Sequence, residues 1–426
     1  QQGLFVADVC YYYGDQGFNF VPPKHVDPSL GFGYDYDVVN ADTICSRMEV
    51  HDGRLTLLDG LRYELLVLPD REDLNPQVLG RIESLVFAGA TVVGRRPTRS
   101  NGLEDYPLRD AEVREIADRL WGPCDGGQCK ERAYGKGKVV WGKTLREVLL
   151  ARGVGPDFSV DGNESDLDYI HRRTPDADIY FVSNRTDCRL ESMCTFRVTG
   201  RSPELWMPDT GEIRGCETYE STDGHTRVTL QLAPYDSLFV VFPARSEGTF
   251  LPQRAEVPER TYEIVGTWRV SFPPGWGAPA SKLFGELTSW TDDSDPGIKC
   301  FSGVATYRNQ FERPGDRLTA DERLVLDLGR VRFVAEVFVN GRSVGVVWKP
   351  PFRVDITDAV RPGTNTLVVK VANTWSNRLV GDAQTEGRDF CRTNIAKSLT
   401  WQTPWKDAPL LESGLLGPVT LVPVRR

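Results

Sequence analysis

Apolar positions change their period along this chain of 426 residues. LFVADVCYYY (4–13), YELLVLP (63–69), ATVVG (90–94) and KVVWG (138–142) are near-continuous apolar runs, the pattern of strands buried on both faces. Between them, Val38, Ala41, Ile44 and Met48 recur at helical spacing over 37–49. Pro76 opens a second helix in which Val78, Ile82, Leu85 and Val86 share a face until Gly89 stops it, and 110–120 repeats the pattern. Strands alternating with helices predict right-handed crossovers and a parallel sheet covered on both faces, so 1–155 is expected to be a flavodoxin-like or amidotransferase-like α/β domain. Over 156–245 the helical period disappears. DIYFVSNRT (178–186), CTFRVTG (194–200), PELWMPDTGEI (203–213), TRVTLQL (226–232) and SLFVVFP (237–243) alternate between Asp, Gly and Pro turns and predict a small antiparallel β-sandwich. Residues 246–266, rich in Arg, Glu and Pro, are expected to be a charged linker.

The stretch 337–373 carries the most specific pattern. Asn340-Gly341 lies between two β-branched runs, and a two-residue turn of matching twist needs residues that tolerate positive φ, so 334–339 and 342–348 should pair antiparallel. Pro350-Pro351 lacks two backbone donors and marks a sheet edge or a crossover. Phe352, Val354 and Ile356, then Leu367, Val369 and Val371, alternate with polar or smaller neighbours as half-buried strands of a second sandwich do. With FRVDIT, a Pro-Gly-Thr-Asn turn, LVVKVAN and SGLLGPVTLVPV (413–424), this order resembles the galactose-binding-like jelly roll of glycoside hydrolase family 2, over 267–426. The front of the chain is similar to a narrower group. VADVCYYYGDQGFNFVPPKHVDPSLGFGYDYDVVNAD (6–42), LRYELLVLPD (61–70) and AGATVVGRRPTRSNGLEDYP (88–107) resemble the region after the catalytic barrel in glycoside hydrolase family 106, the α-L-rhamnosidases. That resemblance implies an accessory portion of an enzyme acting on rhamnose-containing glycan. The N-terminal barrel of the same polypeptide would be its partner and would carry the acid and base glutamates and any calcium. Alternatives are a non-catalytic carbohydrate-binding protein and the accessory region of a family 2-type β-galactosidase or β-glucuronidase.

Composition narrows the function classes. With 40% hydrophobic and 26% charged residues every segment can fold, and no apolar run approaches the roughly 18 residues that span a bilayer. A net charge of −9 and a pI near 5.2 argue against a phosphate-backbone partner. Arg95, Arg96 and Arg99 are read as a solvated loop or, less simply, an anion contact. Nine cysteines without C-x-x-C pairs write no zinc ribbon, although Cys124–Cys129 and Cys188–Cys194 are spaced for bridges. The chain opens without Met or a charged-then-apolar leader, so it is expected to begin inside a mature or cut polypeptide. A polysaccharide substrate would suit a secreted or periplasmic setting.

Candidate chemistry concentrates near the C-terminus. Seven of the ten tryptophans follow residue 266: Trp268, Trp276, Trp290, Trp348, Trp375, Trp401 and Trp405. Sugar rings stack their apolar faces on aromatic planes and hydrogen-bond through their rims, so TWSNRLVGDAQTEGRDF (374–390) and SLTWQTPWKDAP (398–409) nominate Trp375, Arg378, Asp382, Trp401 and Trp405. Trp268, Trp290 and Trp206 read as core. In loop 14–27, Asp15, Lys24 and His25 are candidates for docking on a neighbouring domain or lining its cleft. DDSD (292–295) reads as a solvated turn in preference to a calcium loop. No eightfold β/α repeat and no paired acids at strand ends are written here, so glycoside cleavage by this chain alone is not expected.

Overall fold

The computed structural model describes residues 2–14, 29–216, 218–222, 224–245, 257–258, 260–314, 322–385, 390–391, 393–398 and 400–425. The chain forms two compact units, 1–251 and 252–426, built mostly from β-sheet with few helices.

In the first unit five strands run parallel: β1 (Val9–Tyr12), β2 (Tyr36–Val39), β3 (Leu65–Val67), β4 (Thr91–Val93) and β5 (Gly137–Val140), in the order β2-β1-β3-β4-β5. Helix α1 (Pro76–Ala88) starts as its sequence dictates. The Asn75 side chain accepts a hydrogen bond from Gln77 N, Pro76 occupies the first turn, and Gly89 ends it at φ 133°. Its Val78, Leu79, Ile82 and Val86 are buried on the sheet with Ile116 and Leu120 of α2 (Leu108–Trp121). Helix α3 (Leu145–Ala151) was not foreseen, although Thr144 and Glu147 write its reciprocal capping box.

The expected helix over 37–49 is corrected. Residues 36–39 are strand, and a six-residue helix, Ala41–Ser46, follows only because the Asn40 side chain accepts from Thr43 N. Met48–His51 and Arg54–Leu57 then form a hairpin across Asp52-Gly53, both at positive φ (51° and 75°), and Arg62–Tyr63 adds a third antiparallel strand. The Asp-Gly turn signal outweighed the apparent helical spacing of Met48. A uniformly wound α/β layer fold is therefore not established for 1–155. The chain is multidomain and β-rich.

The sandwich packs a sheet of 167–173, 177–184, 237–243, 204–206 and 213–215 against one of 158–160, 190–196, 225–232 and 219–222, around Tyr169, Tyr180, Phe196 and Phe242. Leu4–Phe5 pairs antiparallel with Arg172–Arg173, so the chain contributes to the sandwich before it enters β1. This shared strand puts the sandwich and the parallel sheet in one unit. Trp206 is not core: it stands on the outer face, 38% exposed, between Phe239 and Ile213 in register.

In the second unit Asn340 and Gly341 take φ 53° and 81°, and Val334–Val339 pairs with Arg342–Val347 across them. That hairpin lies in a six-stranded sheet with 364–372 and 304–312. After Pro350-Pro351 the chain crosses to the opposite sheet, where Arg353–Asp355 pairs with Glu322–Asp327. Trp268, Trp290, Phe301, Leu326, Val337, Val369 and Leu415 fill the space between. The linker expectation for 246–266 is corrected where it is described. Val257–Pro258 and Tyr262–Glu263 pair with Thr420–Arg425, and Ile264 is buried in the core. All nine cysteines are free, so neither spaced pair is bridged.

Candidate functional site

The candidate surface of the second unit is organised by helix α4 (Ser376–Gln384), which follows strand 364–372 and occupies part of the stretch read as a loop. Two asparagines fasten its entry. Asn373 donates to Phe301 O (2.9 Å) and Ser413 Oγ (3.1 Å) and accepts from Gly303 N (2.8 Å). Asn377 donates to Leu411 O (2.7 Å) and Ser413 Oγ (3.0 Å) and accepts from Leu411 N (2.7 Å). Residues 301–303 and 411–413 are thereby held to the helix by neutral, satisfied amides. The glycine after Ser413 has a steric reason: Gly414 sits at φ 108°, and a Cβ there would stand 2.8 Å from both Trp290 Nε1 and Tyr307 OH.

Arg378 and Asp382, nominated as sugar contacts, bind each other. They lie one helical turn apart with Nε 2.8 Å from Oδ1, and both side chains are almost fully buried. Asp382 Oδ2 accepts from the backbone N–H groups of Phe390 (3.1 Å) and Cys391 (2.9 Å), and the Arg378 guanidinium lies 4.7 Å from the Phe390 ring centre. The pair thus fixes where the chain goes after the helix. Its guanidinium still edges a cavity of about 420 Å³ whose wall includes Asp295, Lys299, Cys300, Gln384 and Phe390.

Trp375 starts α4 with 54% of its surface exposed and lies 5.3 Å from Trp276, their planes inclined at 52°. Trp276 was counted among the tryptophans but not nominated. Only the fold makes it Trp375's neighbour, and together they offer two aromatic faces. Trp401 and Trp405 are half-buried on the following segment. Trp405 Nε1 donates to Ile395 O (2.7 Å), and Gln384 on α4 donates to Lys406 O (3.0 Å). Trp268 and Trp290 are core. Asp15, Lys24 and His25 lie outside the described residues.

The acids near this surface already have structural duties. Asp293 holds Lys282 Nζ at 2.7 and 2.8 Å, and Asp295 caps the short helix Pro296–Lys299 through Gly297 N. DDSD is therefore a turn fastened through Asp293 and Asp295, with Asp292 and Ser294 exposed. Among the described residues no group of three or more His, Cys, Asp or Glu side chains could hold a metal ion.

The first unit contains a buried ionic cluster that sequence patterning missed. His171, with no exposed surface, lies between two carboxylates: Nδ1 is 2.9 Å from Asp157 Oδ2 and Nε2 is 3.0 Å from Asp178 Oδ1. Its ring stacks on Tyr180 at 3.9 Å, and Tyr180 OH donates to Asp157 Oδ1 (3.0 Å). Arg197 reaches Asp8 (2.8 Å) and Asp157 (3.3 Å), while Arg173 and Arg201 hold Asp178 at 2.6 and 2.9 Å. Burial alone would lower the imidazole's proton affinity, but Asp157 and Asp178 outweigh it and hold His171 above its ordinary value. Burial likewise opposes ionisation of Asp157 and Asp178, yet His171 with Arg197 and Arg173 keeps both below the usual carboxylate range. Asp8 differs. Burial pushes its carboxyl up to about 6 against the pull of Arg197, with Asp157 and Glu64 adding to the rise.

Asp8 and Glu64 share the wall of a second cavity. Both are ion-paired, Asp8 to Arg197 and Glu64 to Arg54 (2.6 Å) and Arg152 (2.9 Å). Both also precede β1 and β3, at the amino ends of the parallel strands, whereas open α/β sheets bind ligands beyond the carboxyl ends.

Two family patterns match. Glycoside hydrolase family 106, alpha-L-rhamnosidase, covers residues 1–221, and the glycosyl hydrolase 2 galactose-binding domain-like pattern covers 299–402. A rhamnosidase from Novosphingobium sp. PP1Y has a structure similar over 99% of this chain and 39% of its own, at 34% identity and a TM-score of 0.71. A protein of Formosa agariphila that carries the name beta-glucuronidase is 25% identical over a 664-residue alignment covering 99% of this chain and 55% of that protein. The chain thus spans about half the length of the curated relative it matches. With more than half of its residues inside the family 106 pattern and a jelly roll of the family 2 kind behind it, the chain belongs to glycoside hydrolase family 106, the alpha-L-rhamnosidases.

Proposed function

We propose that this chain is the accessory portion of an α-L-rhamnosidase acting on rhamnose-containing glycan, with the acid and base carboxylates in a catalytic barrel of the same polypeptide. The observation that carries the reading is the engagement of the acids. Asp382, Asp295, Asp293, Asp8 and Glu64 are all tied to guanidinium, ammonium or backbone N–H groups. Hydrolysis needs one carboxyl free to give a proton and another free to activate water or attack. Any calcium the enzyme uses belongs, on this reading, with the barrel. The jelly roll's part is to offer the neighbouring faces of Trp375 and Trp276 to sugar. We also retain a flavodoxin- or amidotransferase-like class for 1–155, supported by its parallel strand order, and boundaries near 155 and 245.

The test is an assay of this chain alone on an aryl α-L-rhamnoside. No turnover above the uncatalysed rate is expected, and turnover abolished by Asp8→Asn would overturn the reading. For the sugar contact, affinity electrophoresis on a rhamnose-containing pectin should show retardation that falls about tenfold in Trp375→Ala, at an unchanged melting temperature. Equal retardation of that variant would remove Trp375 from the site. The relative named beta-glucuronidase favours a second reading in which the substrate is a glucuronide, and an aryl glucuronide offered to the full-length enzyme separates the two.

A further inference from the structure

The cavity that holds Asp8 and Glu64 measures about 280 Å³, and Arg54, Arg62, Arg173 and Arg197 share its wall. Like charges converge only when something neutralises them. The ion pairs fall short of doing so: four carboxylates, Asp8, Glu64, Asp157 and Asp178, are shared among five guanidiniums, Arg54, Arg152, Arg173, Arg197 and Arg201, and the His171 imidazole. Arg62 adds a sixth guanidinium that, among the described residues, lies within ion-pair distance of no carboxylate. Asp35, whose field reaches the cluster at Tyr169, raises the acids to five, and Asp59 in the adjoining wall brings its own partner Arg47, so cations stay in excess. The carboxylates are buried, whereas Arg54 and Arg173 keep half their side-chain surface exposed, so the surplus positive charge lies on the open side.

A second cavity, of about 670 Å³, shares Val6, Arg62 and Arg173 with the first; the rest of its wall is mainly apolar, with Leu4, Phe5, Leu61 and Pro175, and includes Thr174 and Asp59, whose carboxylate is paired with Arg47 (3.3 Å). The two make one site with a charged end and an apolar end. The smaller volume is near the lower limit of ligand pockets and suits a group about the size of one sugar ring. Guanidinium forks match the planar geometry of carboxylate and phosphate.

We propose that this paired cavity binds an anionic group of carboxylate or phosphate type, held between Arg62 and Arg173, with the less polar remainder of the ligand in the larger cavity. The favoured source is a uronate residue of an acidic glycan, and the other source of the same chemistry is free inorganic phosphate. A failed titration here leaves the rhamnosidase reading untouched, because that reading is tested by turnover of an aryl rhamnoside and not by anion binding.

The experiment is isothermal titration of this chain, at fixed ionic strength and pH 7, with glucuronate, galacturonate, a galacturonate disaccharide, inorganic phosphate and, as neutral control, rhamnose. Saturable binding of the uronates, tighter for the disaccharide and at least tenfold weaker in Arg62→Gln, is expected, with no heat from rhamnose. Binding of phosphate as tight as that of the uronates would support the anion site and assign it to inorganic anion. Arg62→Lys keeps the charge but loses the fork and should retain part of the affinity. No binding of any anion, or binding equal in Arg62→Gln and the parent, would overturn the proposal. Arg62 lies on an exposed edge strand, and an unchanged melting temperature in both variants excludes unfolding as the cause.

Discussion

Apart from the Arg378–Asp382 pair of the second unit, the two units bury their polar groups by different chemistry. In the first, His171, Asp157, Asp178 and Arg197 form an ionic cluster whose members stabilise one another only while each keeps its charge. In the second, Trp290, Tyr307, Asn373, Asn377 and Ser413 connect 290, 301–307, 373–377 and 411–415 through neutral hydrogen bonds. The neutral network is indifferent to pH over the ordinary range and loses only what each missing partner leaves unsatisfied. The ionic one ties the sandwich to the start of the parallel sheet and exposes that junction to titration.

Removing Asp157 should produce the largest effect. Asp157→Ala leaves His171 and Arg197 as buried cations without their shared anion and should cost about 3–5 kcal/mol in denaturant unfolding of the first unit. A loss below about 1 kcal/mol would mean that water already reaches the cluster. The neutral counterpart is Tyr307→Phe. Trp290 Nε1 (2.6 Å) and Leu415 N (3.1 Å) both donate to the Tyr307 hydroxyl. Orphaning them should cost about 1–3 kcal/mol, seen as a lower melting temperature of the second unit alone.

The pH dependence should also separate the units. His171 has its folded-state value raised, so its contribution is complete below about pH 6.5 and is lost as pH rises through that raised value. Asp157 and Asp178 are lowered, so theirs is complete above about pH 4 and is lost as pH falls through the lowered values. Asp8, raised to about 6, opposes folding when ionised, and relief of that opposition stabilises the unit as pH falls from about 6 toward its ordinary value. Melting of the first unit is therefore expected to peak on the acid side of neutrality, with the second unit nearly flat across the same range. Asp8→Asn should remove the rise below pH 6, and an unchanged profile in that variant would shift the cause to another group. The smallest effect is expected from Glu412→Gln. Its partners Arg330 (2.5 Å) and Arg332 (3.1 Å) are largely exposed, and the loss should stay within about 1 kcal/mol.

Local chemistry made much of the architecture legible. Asn340-Gly341 fixed a hairpin, Asn75-Pro76 and Gly89 bounded a helix, and the alternation of Leu367, Val369 and Val371 marked a half-buried strand, because each signal acts within a few residues. Asp52-Gly53 carried the same kind of signal and was masked by an accidental helical spacing at Met48.

What the sequence by itself determined is where most strands, turns and helices form, and that the C-terminal part is rich in tryptophan. Tertiary structure alone decided which side chains meet. Arg378 closes on Asp382 instead of facing solvent, Trp276 comes beside Trp375 from a hundred residues away, and His171 is enclosed by Asp157 and Asp178. Backbone preference is local, but the neutralisation of a buried charge and the pairing of aromatic faces depend on distances that exist only once the sheets have packed.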